Sequence, residues 1–178
     1  MTPDGKRKDT VINAEETGHF VWNLATYALR EAVNITAEQV PYGVDEFERA
    51  GLEKEKAQLT DLPMVKASPV KFECDYYKTI HLEGEGVMGS ASVVIGKVRA
   101  IHIADDVLTD GILDIKKTEP IARCGYYQYA VIRETFDMKI PGSGMTNIGL
   151  EGNSKKAREA MTDQVKRSHS SAGLQGIS

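Results

Sequence analysis

The sequence predicts a mainly β fold, a small antiparallel barrel with short helices between its strands. Three observations carry that expectation. From Pro69 onward Phe72, Cys74 and Tyr76 alternate with Lys71, Glu73 and Asp75, which is the period of a half-buried strand. Residues 90–103 are dense in β-branched side chains and suit a second strand antiparallel to the first. Elsewhere, capping residues and glycines bracket only short helical stretches.

In chain order, the opening residues are loop-like. Asp9 or Thr10 is placed to cap a helix over residues 11–17, and Gly18 to end it. Residues 19–25 read as a buried strand with Trp22 in the core. Residues 27–35 read as a helix, with Leu29 and Val33 on one face. Pro41-Tyr42-Gly43 breaks the chain, and Asp45 caps another short helix that stops at Gly51. Residues 53–66 are polar and are expected to cross the surface irregularly. The glycine-rich loop after residue 83 joins the two long strands, and Gly96 marks a bulge or barrel corner. Residues 130–140 are a further strand. Beyond Pro141 glycine, serine and charge dominate. Residues 1–142 are therefore expected to form the domain, and residues 143–178 a tail with at most a weak helix over 155–167. There is no internal repeat.

Bulk properties exclude several classes. The chain has 178 residues, 41% hydrophobic and 27% charged, enough apolar material for one globular domain. Its net charge of -4 gives no basic footprint for nucleic acid. No run approaches the roughly 18 apolar residues of a membrane span. Residues 1–10 are polar and carry no secretion signal, so a cytoplasmic location is expected. Cys74 and Cys124 lack metal-ligand spacing and read as reduced thiols. His19, His81, His102 and His169 are scattered and suggest no metal site. No Ser/His/Asp or Cys/His arrangement stands out.

Gly84-Glu85-Gly86-Val87-Met88-Gly89 matches G-x-G-x-x-G. A dinucleotide site needs that motif to open a helix whose N-terminus receives the pyrophosphate. Here the strand-forming Ser90-Ala91-Ser92-Val93-Val94-Ile95 follows, so the motif reads as a flexible hairpin loop.

Four stretches in order carry a family likeness. Lys8-Asp9-Thr10-Val11-Ile12-Asn13-Ala14-Glu15-Glu16-Thr17-Gly18-His19-Phe20-Val21-Trp22-Asn23-Leu24 resembles a lysine-aspartate-serine/threonine turn, a short helix and a phenylalanine-valine-x-asparagine strand. Ser68-Pro69-Val70-Lys71-Phe72-Glu73-Cys74, Val94-Ile95-Gly96-Lys97-Val98 and Ile121-Ala122-Arg123-Cys124-Gly125-Tyr126-Tyr127-Gln128-Tyr129 follow. Together they resemble the flavin reductase-like, FMN-binding split-barrel family, over about residues 8–142. The resemblance implies an FMN-binding homodimer with flavin near the interface, acting as a flavin reductase or flavin-dependent oxidoreductase, often beside a flavin-dependent oxygenase. A flavin-binding protein without turnover and a non-catalytic split-barrel interaction module are the alternatives.

The residues are compatible with FMN. Lys8 brings positive charge to a phosphate and Thr10 a hydroxyl donor, while the leading N–H groups of the helix favour an anion. The same turn also reads as a simple helix start with a solvated lysine. Asp9 suits a capping role, and Asn13 lies one turn on. Asn23 needs a partner, either a flavin edge or neighbouring backbone. Arg123, among Tyr126, Tyr127 and Tyr129, suits a flavin or ligand contact, or an interface. Two departures from the family pattern stand out. Family members carry several dozen residues before the lysine-aspartate-threonine turn, including barrel strands, so this chain is expected to lack the first strands: through a misassigned start, as a remnant, or with a partner supplying them. Gly89-Ser90-Ala91 stands where many members carry glycine-aspartate-histidine, so the likeness does not extend to NAD(P)H use. The flavin ring, rather than a side chain, would carry the redox chemistry, and no catalytic residue is assigned.

Overall fold

A computed structural model describes residues 7–85 and 89–138. The chain divides into two compact units, Met1–Thr135 and Phe136–Ser178, and every element below belongs to the first. The tail expected over 143–178, with its helix over 155–167, lies outside the described residues, as do Gly86, Val87 and Met88 of the glycine loop.

Helix α1 (Asp9–Thr17) ends at Gly18, whose φ of 72° closes the helix in the left-handed region. Strand β1 (His19–Asn23) follows. A single 3₁₀ turn, Tyr27–Leu29, leads into α2 (Arg30–Ile35), and α3 (Glu46–Arg49) is capped by Asp45, which accepts from the Phe47 N–H. Strands β2 (Lys54–Lys56) and β3 (Pro63–Val65) form an antiparallel hairpin. The long strands β4 (Val70–Leu82) and β5 (Ala91–Ile103) pair along their full length. A short hairpin, β6 (Leu108–Thr109) with β7 (Ile112–Leu113), precedes α4 (Ile115–Thr118). Strands β8 (Ile121–Gly125) and β9 (Gln128–Val131) make the last hairpin.

The central sheet has the order β1-β4-β5, all antiparallel, and α1 packs against all three strands. Val11 and Ala14 point from α1 into the core, where Val70, Cys74, Ala57, Met64 and Val107 are also buried. Gly96 sits beside one of the two β4–β5 register shifts, between Tyr76 and Lys78. A Cβ at Gly96 would lie 2.4 Å from the Phe20 ring, so the glycine is there because an aromatic ring occupies its side-chain space.

Several sequence expectations need correction. Residues 53–66 are an ordered hairpin with Ala57 and Met64 buried, rather than an irregular surface crossing. The polar face of β4 turns inward: Lys71 is 8% and Glu73 1% exposed. They are tolerated because the hairpin answers both charges, Lys71 pairing with Glu55 and Glu73 accepting from the Gln58 and Leu59 N–H groups at 2.8 and 2.9 Å. Trp22 is not core; it stays partly exposed and stacks on Phe72 with ring centroids 4.7 Å apart. The last strand is Gln128–Val131, not residues 130–140, and no strand continues over residues 132–138.

Candidate functional site

The expected site residues fall on three elements. Lys8 precedes α1 in an extended conformation, φ -72° and ψ 145°, and its side chain makes no cap. Its carbonyl accepts from the Val11 and Ile12 N–H groups. Asp9 is the first residue inside the helix; it therefore cannot cap the helix as expected, because a cap must sit outside with its side chain folded over the first turn. The first N–H groups of a helix have no intrahelical acceptor, and with Val11 and Ile12 engaged by Lys8, α1 opens with the Asp9 and Thr10 N–H donors next in sequence to the exposed Lys8 and Thr10 side chains. Asn13, one turn on, accepts from the Tyr42 hydroxyl at 3.2 Å and ties α1 to the 41–43 loop.

Asn23 ends β1 on the face that carries Lys71 and Glu73. Its Oδ1 accepts from the Val65 N–H at 3.0 Å, the neighbouring-backbone partner of the two foreseen. Its Nδ2 makes no hydrogen bond among the described residues, and Asn23 lines an apolar cleft of about 220 Å³ with Leu29, Val33, Phe47 and Val65. Arg123 lies on the β8–β9 hairpin, where it donates to the Tyr126 carbonyl at 3.2 Å. Gly125 and Tyr126 turn that hairpin with φ of 105° and 47° and leave Tyr126 and Tyr127 91% and 98% exposed.

Sequence reasoning missed a polar cluster on the sheet. His102, opposite Lys71 across β4–β5, donates through Nε2 to Glu73 Oε1 at 2.7 Å. Burial pushes the Glu73 carboxyl up, but the Gln58 and Leu59 N–H groups and the His102 ring outweigh it and hold the carboxyl below its usual range. Nothing local in the sequence signals this; the partners come from the hairpin and from β5. Among the described residues no group of His, Cys, Asp and Glu is arranged to hold a metal, and no helix is long and apolar enough to cross a membrane. No helix follows the glycine loop; β5 does.

The sequence model for the flavin reductase like domain matches residues 4–120. The chain belongs to the flavin reductase like domain family. It is 32% identical over 139 residues to an uncharacterised protein of Halalkalibacterium halodurans, covering 78% of this chain and 66% of that protein. Among solved structures it is similar to nitrilotriacetate monooxygenase component B from Bacillus cereus, at 30% identity and a TM-score of 0.68, covering 75% of this chain and 66% of that one. The flavoredoxin of Desulfovibrio vulgaris shares the fold at 20% identity and a TM-score of 0.62, covering 77% and 72% of the two chains. This flavin reductase-like chain spans about two thirds of the length of the curated relatives it matches. The mainly β architecture expected from the sequence is the observed one, and it is the split barrel of this family.

The residues present fit a flavin mononucleotide at one end. A phosphate needs donors and positive charge, which the start of α1 supplies. A side-chain cap there would have used those donors, and Lys8 makes none.

Proposed function

We propose that this flavin reductase-like chain binds FMN and serves as an oxidoreductase, with the phosphate at the start of α1. The observation that carries this reading is the helix start without a side-chain cap, flanked by Lys8 and Thr10, in a chain whose family model spans residues 4–120. Lys8 contributes an ammonium and Thr10 a hydroxyl, and the leading N–H groups orient toward the anion. Asp9, inside the first turn, orders the helix start rather than touching the phosphate. Asn23 offers its Nδ2 donors to a flavin edge, and Arg123 a second contact. The bound flavin supplies the electron chemistry; the protein holds and orients it. The domain is residues 1–142, and the flavin lies near the interface of a homodimer. The likeness to a monooxygenase component supports a flavin-dependent oxygenase as partner. The free thiols Cys74 and Cys124 suit a reducing, cytoplasmic setting.

A fluorescence titration with FMN tests this. Lys8→Ala is expected to weaken FMN binding roughly tenfold, the scale of one charge-assisted hydrogen bond, while binding of riboflavin, which lacks the phosphate, stays unchanged. Equal losses for both ligands, or no FMN binding by the natural chain, overturn the reading. Gly89-Ser90-Ala91 favours a second reading, a flavin-binding protein without nicotinamide-driven turnover. Steady NAD(P)H oxidation with added FMN would exclude it.

A further inference from the structure

Folding uses only one nitrogen of the His102 ring. Nε2 lies 2.7 Å from Glu73 Oε1. The Gln58 and Leu59 N–H groups hold Glu73 ionised, and an ionised carboxylate only accepts. Nε2 therefore carries the ring proton, and Nδ1 of the neutral ring is left with a lone pair. Nδ1 makes no hydrogen bond among the described residues, and it is not sealed from solvent either, the buried unpartnered nitrogen being that of His19.

His102 lines a cleft of about 700 Å³ between the β2–β3 hairpin and the end of β5, together with Glu55, Gln58, Lys66, Lys71 and Asp106. That volume is within the range of ligand sites, about 300–1,000 Å³. The cleft shares no lining residue with the apolar cleft at Asn23, and neither α1 nor Arg123 contributes to it. A carboxylate that fixes one nitrogen of an imidazole and leaves the other open is the posture of a metal ligand or of a general base. A metal needs more ligands than the ring, and among the described residues no group of His, Cys, Asp and Glu gathers to supply them.

Beside this base stands a cation. Lys71 is directly opposite His102 in the β4–β5 register, so the two side chains are neighbours on one face of the sheet. Lys71 is buried and pairs with Glu55, which takes one of its three N–H groups. The other two make no hydrogen bond among the described residues. A base next to a fixed cation suits removal of a proton from carbon beside a carbonyl, because the cation receives the charge that develops on oxygen. Lys66 and Lys71 are matched by Glu55 and Asp106, with the Glu73 charge behind the ring, so the cleft favours a neutral molecule over an anion.

We propose that this cleft enolises a small neutral α-hydroxycarbonyl compound, with His102 as the general base and Lys71 as the donor to the enolate oxygen. The C–H bond beside the carbonyl breaks, its proton goes to His102 Nδ1, and the electron pair moves onto the carbonyl oxygen. The imidazolium then returns a proton to carbon. Nothing is oxidised or reduced, and the step does not depend on the flavin reading.

Proton NMR of hydroxyacetone in deuterium oxide with the full chain, without flavin, tests the proposal. The natural chain is expected to exchange the CH₂ protons beside the carbonyl roughly a hundredfold faster than imidazole at the same concentration. His102→Gln sets an amide N–H where Nε2 was, so it keeps a donor to Glu73 and removes the base; it is expected to abolish the excess rate with circular dichroism unchanged. Lys71→Met leaves the base in place and is expected to slow exchange roughly tenfold or more. Saturating FMN and Lys8→Ala are both expected to leave the rate intact. Exchange no faster than with imidazole, a full rate in His102→Gln or Lys71→Met, or inhibition by FMN would each overturn the proposal.

Discussion

A carboxylate that is 1% exposed survives inside a β-sheet only when its lone pairs are answered. Glu73 is answered three times, by Gln58, Leu59 and His102. Because its folded carboxyl is held below the ordinary carboxylate value, the stability it contributes is complete above that ordinary value and is lost as pH falls through the lowered folded one. Glu73→Gln is expected to cost roughly 2 kcal/mol at neutral pH, since an amide that keeps its oxygen on Gln58 and His102 turns its NH2 against the Leu59 N–H and strands that donor. Denaturant titrations at neutral and acid pH should show the gap between variant and natural chain narrowing in acid; a constant gap would contradict the linkage. Period-two alternation places Glu73 and Lys71 outside because charged side chains are almost never buried unless paired. Their partners Glu55, Gln58 and Leu59 lie in the preceding hairpin, and no local pattern announces such a pairing.

At the scale of elements, two glycines separate two kinds of constraint. Gly18 ends α1 at a φ of 72° with nothing within 4 Å of an added Cβ, so Gly18→Ala meets only backbone strain, about 1 kcal/mol. Gly96→Ala meets the Phe20 ring at 2.4 Å and the Asp75 carbonyl at 2.8 Å, and overpacking of that kind costs roughly 1–3 kcal/mol or more. Thermal melts of the two variants should rank them in that order, with Gly96→Ala the less stable. Both glycines were legible as punctuation in the sequence, one as a helix stop and the other as a bulge. That Phe20 fills the space over Gly96 was not, because β1 reaches β5 only across β4. The Lys8-Asp9-Thr10 turn was equally legible as a helix start, though two residues too late, at residue 11 instead of Asp9: lysine has no acceptor to mark it as a cap position. The β2–β3 hairpin was hidden by its charges, since each of its strands is only three residues long and shows no period.

For the whole molecule, the ordered set of motifs identified the family before any coordinate did, because the order of four separate stretches along the chain is far more specific than any one of them. The cleft at His102 was less legible: His102 stood as one of four scattered histidines, and Lys71 and Glu73 meet it only through the pairing of β4 with β5. The central sheet leaves β5 as an edge strand among the described residues, with Val93 and Val98 exposed. An unpaired apolar edge is a template for association, in line with the proposed homodimer. Val93→Lys, which places a charge on that edge, is expected to shift the chain toward monomer in sedimentation velocity while leaving its circular dichroism unchanged. An unaltered sedimentation coefficient would move the dimer contact elsewhere.

The grip of Glu73 on the loop between β2 and β3 has a kinetic consequence. A tight surface loop ordinarily surrenders its amide protons to solvent within moments, since fraying there exposes little. The Gln58 and Leu59 amides cannot let go without abandoning a carboxylate inside the sheet. In deuterium oxide they are expected to exchange as slowly as the middle of β4, so that loop and strand open as one cooperative unit.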